Sequence, residues 1–239
     1  MSVTVGVINY NNQAFIERAC RSALDQGAEV IVADDASTDD SLEVIRDLPV
    51  HIITNDFNSG NAMRGWNDVI AEASGDWVVF LSSDDELAPG AVERIEAASG
   101  DWVYGDLLLV DADGKPLDEW VYTGWPTEPL RALARCLHTH SIPVTMFAAF
   151  RTEWLRENRL EAIGFPGYRL AADTSACIRW LMAWPRIRYI PHVMFHYRQH
   201  PGQETHAINA DRELLGEAIE VLYAELFDHR TIDVLRSLR

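Results

Sequence analysis

Two pairs of adjacent aspartates have the side chains and the placement to do chemistry: Asp34–Asp35 in VIVADDASTDDS and Asp84–Asp85 in WVVFLSSDDE. Each pair directly follows a short apolar run that is typical of a buried strand. Two neighbouring carboxylates at a strand end cost free energy unless a ligand or a cation uses them. The first pair could accept hydrogen bonds from a uracil edge or a ribose hydroxyl. The second could bind Mg²⁺ or Mn²⁺, which prefer oxygen ligands and commonly bridge carboxylates to substrate phosphates.

Both segments also have a purely structural interpretation. Ser37 or Thr38 could cap the helix that follows the first pair, with further acids in its first turn. A cap does not account for Asp34 and Asp35, because they precede it. The second pair could be a solvated turn, whereas a metal bound there would neutralise the charge that develops on a diphosphate leaving group.

The elements that must position these residues alternate between strands and helices over the first hundred residues. This alternation predicts a parallel sheet with right-handed crossovers, in which ligands bind beyond the carboxyl ends of the strands. The clusters NYNN, DDASTDD and SSDDE each follow a strand and should therefore converge on one crevice. Strands are predicted at residues 2–8, 29–33, 50–54 and 76–81, and helices at residues 15–24, 39–47, 61–73 and 89–98.

The second half of the chain has a less regular pattern. A hairpin is predicted over residues 102–122, with Asp113-Gly114 at its turn. No internal repeat or linker divides the sequence, so a single α/β domain over residues 1–239 is expected. Further helices are predicted at residues 128–137, 172–183 and 207–227, and strands at residues 146–150, 187–191 and 193–198.

Composition limits the kind of protein this can be. The formal net charge is −17, which argues against a generic nucleic-acid binder, since such proteins normally carry a basic face. Between residues 151 and 198, however, eight arginines accompany four acids, so a phosphate-bearing partner stays open there. The sequence has no apolar run long enough for a transmembrane helix and no signal-peptide pattern at its start. The three cysteines have unrelated spacings, which favours a reducing compartment, and we expect a cytoplasmic protein.

Five motifs in order resemble the family 2 glycosyltransferases of the GT-A fold. They are VTVGVINYNN, VIVADDASTDDS, an Asn- and Gly-containing loop, Asn67 with Ala73-Ser74-Gly75-Asp76, and VVFLSSDD. The resemblance implies transfer of a sugar, with inversion, from a nucleoside diphosphate donor (UDP is the expected nucleotide) to an acceptor hydroxyl, assisted by Mn²⁺ or Mg²⁺. It also implies a Rossmann-like, mostly parallel sheet with a smaller mixed acceptor-side region and a C-terminal helix. Residues 1–100 would bind the nucleotide sugar, and residues 101–239 the acceptor.

The resemblance assigns roles to residues of the first half. Tyr10 is expected against the nucleobase, Asp35 on the base, Asp84 near the ribose and Asp85 on the metal. Donor-site roles are also expected for Asn9, Asp34 and Asn67.

Two positions depart from the family pattern. Ser82 stands where the family often has the first Asp of D-x-D-D, and Trp66 stands where it often has Arg. Arg64 could substitute for that missing arginine.

In the second half, RLAADTSACIRWL resembles the segment in which the family places its catalytic base, and Asp173 is the matching residue. A helix cap is the alternative role for Asp173. HYRQHPGQETH resembles the family's Tyr-Arg-x-His segment, which implies that Arg198 holds a phosphate and that His196 or His200 completes the metal shell.

Two rival functions remain open. A nucleotidyltransferase would also place a nucleotide on such a sheet, but NYNNQAF lacks the glycine-rich basic loop that those enzymes carry after their first strand. A non-catalytic nucleotide-sugar-binding module is the second rival, although Asp84, Asp85 and Asp173 are all present. The sequence does not identify the acceptor, which could be a glycan, a small molecule, a protein or a modified nucleobase.

Overall fold

The computed structural model describes residues 1–60, 62–139, 147–159 and 172–203, with side chains omitted at 136–139, 172–175 and 178. These residues form one mixed sheet with helices on both faces. The strands are β1 Val3–Asn9, β2 Glu29–Asp34, β3 His51–Thr54, β4 Trp77–Ser82, β5 Glu86–Leu87, β6 Trp102–Val110, β7 Pro116–Trp120, β8 Ala148–Arg151 and β9 Ile187–Arg198. The helices are α1 Ile16–Leu24, α2 Ser41–Val44, α3 Ala62–Glu72, α4 Ala91–Glu96, α5 Pro129–Thr139, α6 Thr152–Glu157 and α7 Ala172–Met182.

The strand order is β3-β2-β1-β4-β8-β6-β9-β5, with β7 paired to β6. Strands β1 to β4 pair in parallel, β8 is antiparallel to both β4 and β6, and β6 and β9 pair in parallel. Strands β1, β2, β3, β4, β6 and β9 therefore share one direction, and their carboxyl ends lie along one edge of the sheet. The predicted α/β, mostly parallel architecture is confirmed.

Apolar residues fill both faces of the central strands. Val3, Val5 and Val7 of β1 pack with α1 on one face, whereas Phe80 of β4 packs with Trp66 of α3 on the other. Strands buried on both faces have nearly continuous apolar runs, which is why β1 and β4 could be located from sequence alone.

Four elements differ from the sequence prediction, and one of them is the short strand β5, which was not predicted. The two strands predicted at residues 187–191 and 193–198 form one strand, β9, which pairs with β6 across a bulge: Gly105 pairs with Ile190, and Asp106 with Val193. Pro191 cannot donate a hydrogen bond to the ladder, but it lies in this bulge, where no donor is needed. The proline therefore does not end the strand, and the prediction of two strands was wrong. The helix predicted at residues 39–47 is limited to the single turn of α2, and α6 was not predicted. The predicted helix at residues 207–227 lies outside the described residues.

In the part of the chain that the structure describes, no helix is both long enough and apolar enough to cross a bilayer.

Gly75 lies where two segments of backbone come close together. Its N–H donates to Thr4 Oγ1 at 2.9 Å, and its carbonyl accepts from Thr152 Oγ1 at 2.6 Å. A Cβ at this position would lie 2.7 Å from the Thr4 backbone nitrogen. We expect Gly75→Ala to destabilise the chain by about 1–3 kcal/mol, because this contact cannot relax without moving β1. Chemical denaturation checks this, and Gly202→Ala, whose added Cβ would make only an ordinary contact, should change stability little.

Candidate functional site

Three loops meet at the edge where the parallel strands end. Asn9 pairs with Asp34 in the β1–β2 register, and the Asp35 N–H donates to the Asn9 carbonyl at 2.9 Å. On the other side of β1, the Ser83 N–H donates to the Ile8 carbonyl at 3.0 Å. The clusters NYNN, DDASTDD and SSDDE therefore lie side by side, as predicted.

Asp34 holds the loops after β1 and β2 together. Its buried carboxylate accepts from Asn9 Nδ2 at 2.7 Å, from the Ser37 N–H at 2.9 Å and from Ser37 Oγ at 2.6 Å. Asn11, with a φ of 52°, accepts the Thr38 N–H at 2.7 Å through its Oδ1. These contacts give Asn9 and Asp34 a structural role, and direct donor contact by either residue stays a prediction.

Tyr10 projects from this fixed loop. Its side chain is 44% exposed, whereas Asn9 directly before it is buried. The loop therefore presents an aromatic ring beside the carboxyl end of β2, which is where the nucleobase contact is predicted.

Asp35 binds the segment that follows β3. Its carboxylate accepts from Asn55 Nδ2 at 2.7 Å, from Ser59 Oγ at 3.0 Å, and from the N–H groups of Ser59 and Gly60 at 2.9 and 3.1 Å. Four donors match the roughly four acceptor positions of a carboxylate. A nucleobase could reach Asp35 only by displacing one of them, and the Ser59 hydroxyl can rotate away most easily.

The second acidic pair lies in a tight turn between β4 and β5. Asp85 is 2% exposed, and its Oδ1 accepts the backbone N–H of Arg198 at 2.9 Å. Burial first, and then the charge of Asp84, raise the pKa of the Asp85 carboxyl well above its usual range, while Arg198 opposes the rise. Asp84 Oδ2 lies 3.1 Å from His200 Nε2. A carboxylate this buried and this close to another acid would gain from a cation at the site.

Arg198 braces this acidic turn. Its side chain is fully buried. Nε donates to the Asp84 carbonyl at 2.8 Å, and Nη1 donates to the carbonyls of Asp111 and Ala112 at 3.1 and 2.9 Å. Nη2 pairs with the Glu86 carboxylate. These contacts tie the β4–β5 turn to the β6–β7 hairpin, and the predicted phosphate contact of Arg198 stays a prediction.

The histidines of the predicted metal shell are placed differently from each other. His200 lies beside Asp84, whereas His196 lies opposite Glu86 in the β5–β9 ladder, and burial lowers its pKa. Among the described residues, no group of three or more His, Cys, Asp or Glu side chains is close enough to hold a metal by itself. The structure therefore does not bring Asp85, His196 and His200 together as one ligand set.

The backbone of Asp173 lies in the first turn of α7, and its side chain is outside the described part. Helix α7 ends at Met182, shortly before β9 begins at Ile187, and Ile187 pairs with Trp102, the first residue of β6. The helix therefore ends at the amino edge of the sheet. The catalytic role of Asp173 stays a prediction.

Trp66 is a core residue. Its ring lies 5.7 Å from that of Phe80 and 6.2 Å from that of Trp180, so the position where the family often has arginine is used here for packing. Asn67 follows in the same helix and is half-buried. Arg64, one turn earlier, is exposed, and its guanidinium carbon lies 5.4 Å from the centre of the Phe57 ring.

Several arginines between residues 151 and 198 bind the protein itself. Arg156 donates to the carbonyls of Ile70 and Ala73 at the end of α3, which satisfies acceptors that a helix end leaves open. Arg186 forms a bidentate pair with Asp101 at 2.7 and 2.8 Å. Together with Arg198, these residues are three of the eight arginines in this stretch, and each binds acceptors of the protein itself.

Residues 4–159 match the sequence model of the family described as Glycosyl transferase family 2. The chain belongs to this family. Two relatives illustrate its place among family 2 chains. TuaG of Bacillus subtilis (strain 168), a glycosyltransferase assigned provisionally to teichuronic acid biosynthesis, is 30% identical over 132 residues, which are 50% of this chain and 52% of that protein. The uncharacterised glycosyltransferase alr2836 of Nostoc sp. is 28% identical over 221 residues, which are 86% of this chain and 67% of that protein. This family 2 chain thus spans about half the length of the first relative and two thirds of the second.

A solved structure shows the same fold. Residues 1–349 of TarS from S. aureus, in complex with UDP-GlcNAc, align with this family 2 chain at a TM-score of 0.67 and 19% identity. The alignment covers 96% of this chain and 73% of that chain. The predicted GT-A type of α/β fold is confirmed.

Proposed function

We propose that this family 2 chain transfers a sugar from a nucleoside diphosphate donor, UDP being the expected nucleotide, to an acceptor hydroxyl with inversion. The observation that carries the proposal is the convergence of Tyr10, Asp35 and the Asp84–Asp85 turn at one edge of the sheet. A nucleoside diphosphate would require three groups there: an aromatic ring against the base, a carboxylate that binds the edge of the base, and an acidic pair that holds the metal ion of the diphosphate. Family membership and the fold shared with a UDP-GlcNAc-binding protein support the same proposal.

Mn²⁺ or Mg²⁺ fits the residues present. Asp84 and Asp85 supply the hard oxygen ligands that these ions prefer, and His200 lies beside Asp84. A site with one or two carboxylates is typical of Mg²⁺ that is also bound by substrate phosphates and water. When bound, the ion would neutralise the diphosphate leaving group.

The transfer itself would be a single displacement. The acceptor oxygen attacks the anomeric carbon from the face opposite the leaving group, and the bond to the diphosphate breaks with its electron pair. Asp173 takes the proton of the attacking hydroxyl. Because the nucleoside diphosphate leaves as an anion, no second protein acid is required, unlike in glycoside hydrolysis.

A panel of nucleotide sugars tests the proposal, because a bound donor raises the melting temperature by mass action. UDP-sugars should stabilise the chain more in the presence of Mn²⁺, and slow release of free sugar should identify the donor. A nucleotidyltransferase would instead release pyrophosphate from a nucleoside triphosphate, and a binding module would be stabilised without any turnover. Absence of stabilisation by every nucleotide sugar would contradict the proposal.

We expect Asp35→Ala to weaken UMP, UDP and the full sugar donor by similar factors of about 10–100 each, the value of hydrogen bonds to a charged group. The reason is that the Asp35 carboxylate would contact only the base and the 55–60 segment, and all three ligands would present the same base to it. Calorimetry measures the affinities. Asp56→Ala, an exposed residue of the same segment, is the matched control and should change none of them. If only the sugar donor weakened, Asp35 would have to contact the sugar.

A further inference from the structure

The segment after β3 is folded onto the Asp35 carboxylate. Asn55 continues from β3, and its N–H donates to the Asp34 carbonyl at 2.9 Å. The N–H groups of Ser59 and Gly60 then turn back toward Asp35. The intervening residues must therefore bulge outward as a short loop between these two anchors, and Phe57 lies in that loop.

Phe57 is the most exposed large apolar side chain among the described residues, at 63%. Its ring is not left without support, because the Arg64 guanidinium lies over it at 5.4 Å from the ring centre. Such a cation–π contact favours one placement of an otherwise exposed ring. A single exposed aromatic needs no explanation, but this one is held beside a predicted ligand site.

A second exposed aromatic lies on the other side of Asp35. Strand β2 runs between β1 and β3, so the loop after β1, which carries Tyr10, and the loop after β3, which carries Phe57, flank the carboxyl end of β2. Asp35 sits at that end. Two exposed rings thus border the carboxylate that is proposed to read the base.

We propose that Phe57 is a nucleobase-binding residue, which forms the wall of the base site opposite Tyr10. This inference rests on the proposed function and deepens it. The flat faces of a base would contact the two rings, and its polar edge would meet Asp35. Aromatic rings contribute to binding of any base by stacking, so Phe57 would add affinity for the nucleotide and Asp35 would add selectivity.

Calorimetry with UMP and UDP, without metal, tests the role of Phe57. Phe57→Ala should weaken both nucleotides about tenfold, within the range that loss of one base–aromatic stack produces. Phe57→Tyr should restore most of the affinity because it keeps the ring. Ribose 5-phosphate, which has no base, should bind the parent chain and Phe57→Ala equally. The matched control is Trp184→Ala, which removes an aromatic that is 48% exposed at the opposite edge of the sheet.

The outcomes separate this inference from the proposed function. If the parent chain binds neither UMP nor UDP, the proposed function fails. If the parent binds them, Asp35→Ala weakens them and Phe57→Ala changes them less than twofold, only the role of Phe57 is overturned. An equal loss of ribose 5-phosphate binding would also overturn it, because that result would indicate a change in the loop and not a lost stack.

Discussion

Replacing Asp173 with asparagine should lower kcat by about 10²–10⁴-fold, the usual cost of losing a general base. Asparagine keeps the shape of the side chain but cannot take the proton of the acceptor hydroxyl. Donor affinity should stay close to that of the parent chain, because the base acts on the acceptor and not on the nucleotide. Single-turnover kinetics with a saturating donor, together with donor titration, measure the two effects separately.

The same variant distinguishes catalysis from helix capping. Asparagine caps a helix about as well as aspartate, so a residue that only starts α7 would tolerate the change in both turnover and stability. The resemblance of RLAADTSACIRWL to the segment that carries the family's base favours the catalytic role. Asp76→Asn is the matched control, since Asp76 accepts the Ser2 N–H at the opposite edge and should not change kcat. Near-parental turnover of Asp173→Asn would leave the base unidentified.

The parallel core of the fold could be predicted because each of its strands is recognisable from a short stretch of sequence. Strands β1 and β4 are each a nearly continuous apolar run in the sequence, and a polar cluster follows each of them. Because parallel strands end at one edge of a sheet, Asp35 and Asp84 could then be predicted to lie in one crevice. Neither prediction required knowledge of contacts between residues that are far apart in the sequence.

The contacts that decide what each site residue can do come from residues far apart in the sequence. Asp85 is bound by the backbone of Arg198, 113 positions later, and nothing near either residue predicts this. The sequence predicted that Asp35 binds a ligand, but it did not predict that its carboxylate accepts hydrogen bonds from Asn55, Ser59 and Gly60. Sequence reasoning therefore identified which side chains lie at the edge and missed which of them brace the loops.

The replacement of the family's arginine by Trp66 has a similar explanation. The substitution was visible in the sequence, but its meaning depended on Phe80 and Trp180, which come from β4 and α7. Nothing in the sequence indicated a role for Phe57. Its position depends on the folded loop, in which the residues on both sides of it bind Asp35.

The buried acidic turn leads to the second prediction of large effect, the loss of metal-dependent donor binding in Asp85→Asn. An amide can still accept the Arg198 N–H through its oxygen, so the turn should keep its shape. Its charge is gone, however, and a hard cation loses its most buried carboxylate ligand. We expect Mn²⁺ to enhance the affinity of the parent chain for UDP. The affinity of Asp85→Asn for Mn²⁺ should be more than about 100-fold lower than that of the parent chain. This loss exceeds the loss that is typical of residues that only support a metal ligand.

Calorimetry of UDP with and without Mn²⁺ measures this, and a chelator added to the parent chain should reproduce the affinity of the variant. UMP titrated without metal should bind both chains alike, because the base site around Asp35 is unchanged. Removing the charge should also leave the metal-free melting temperature equal or higher, since the buried carboxylate of Asp85 is costly when no cation compensates it. An Mn²⁺-dependent gain in UDP affinity equal in both chains would exclude Asp85 as a metal ligand, and a lower metal-free melting temperature would mean that its charge stabilises the turn through Arg198 instead.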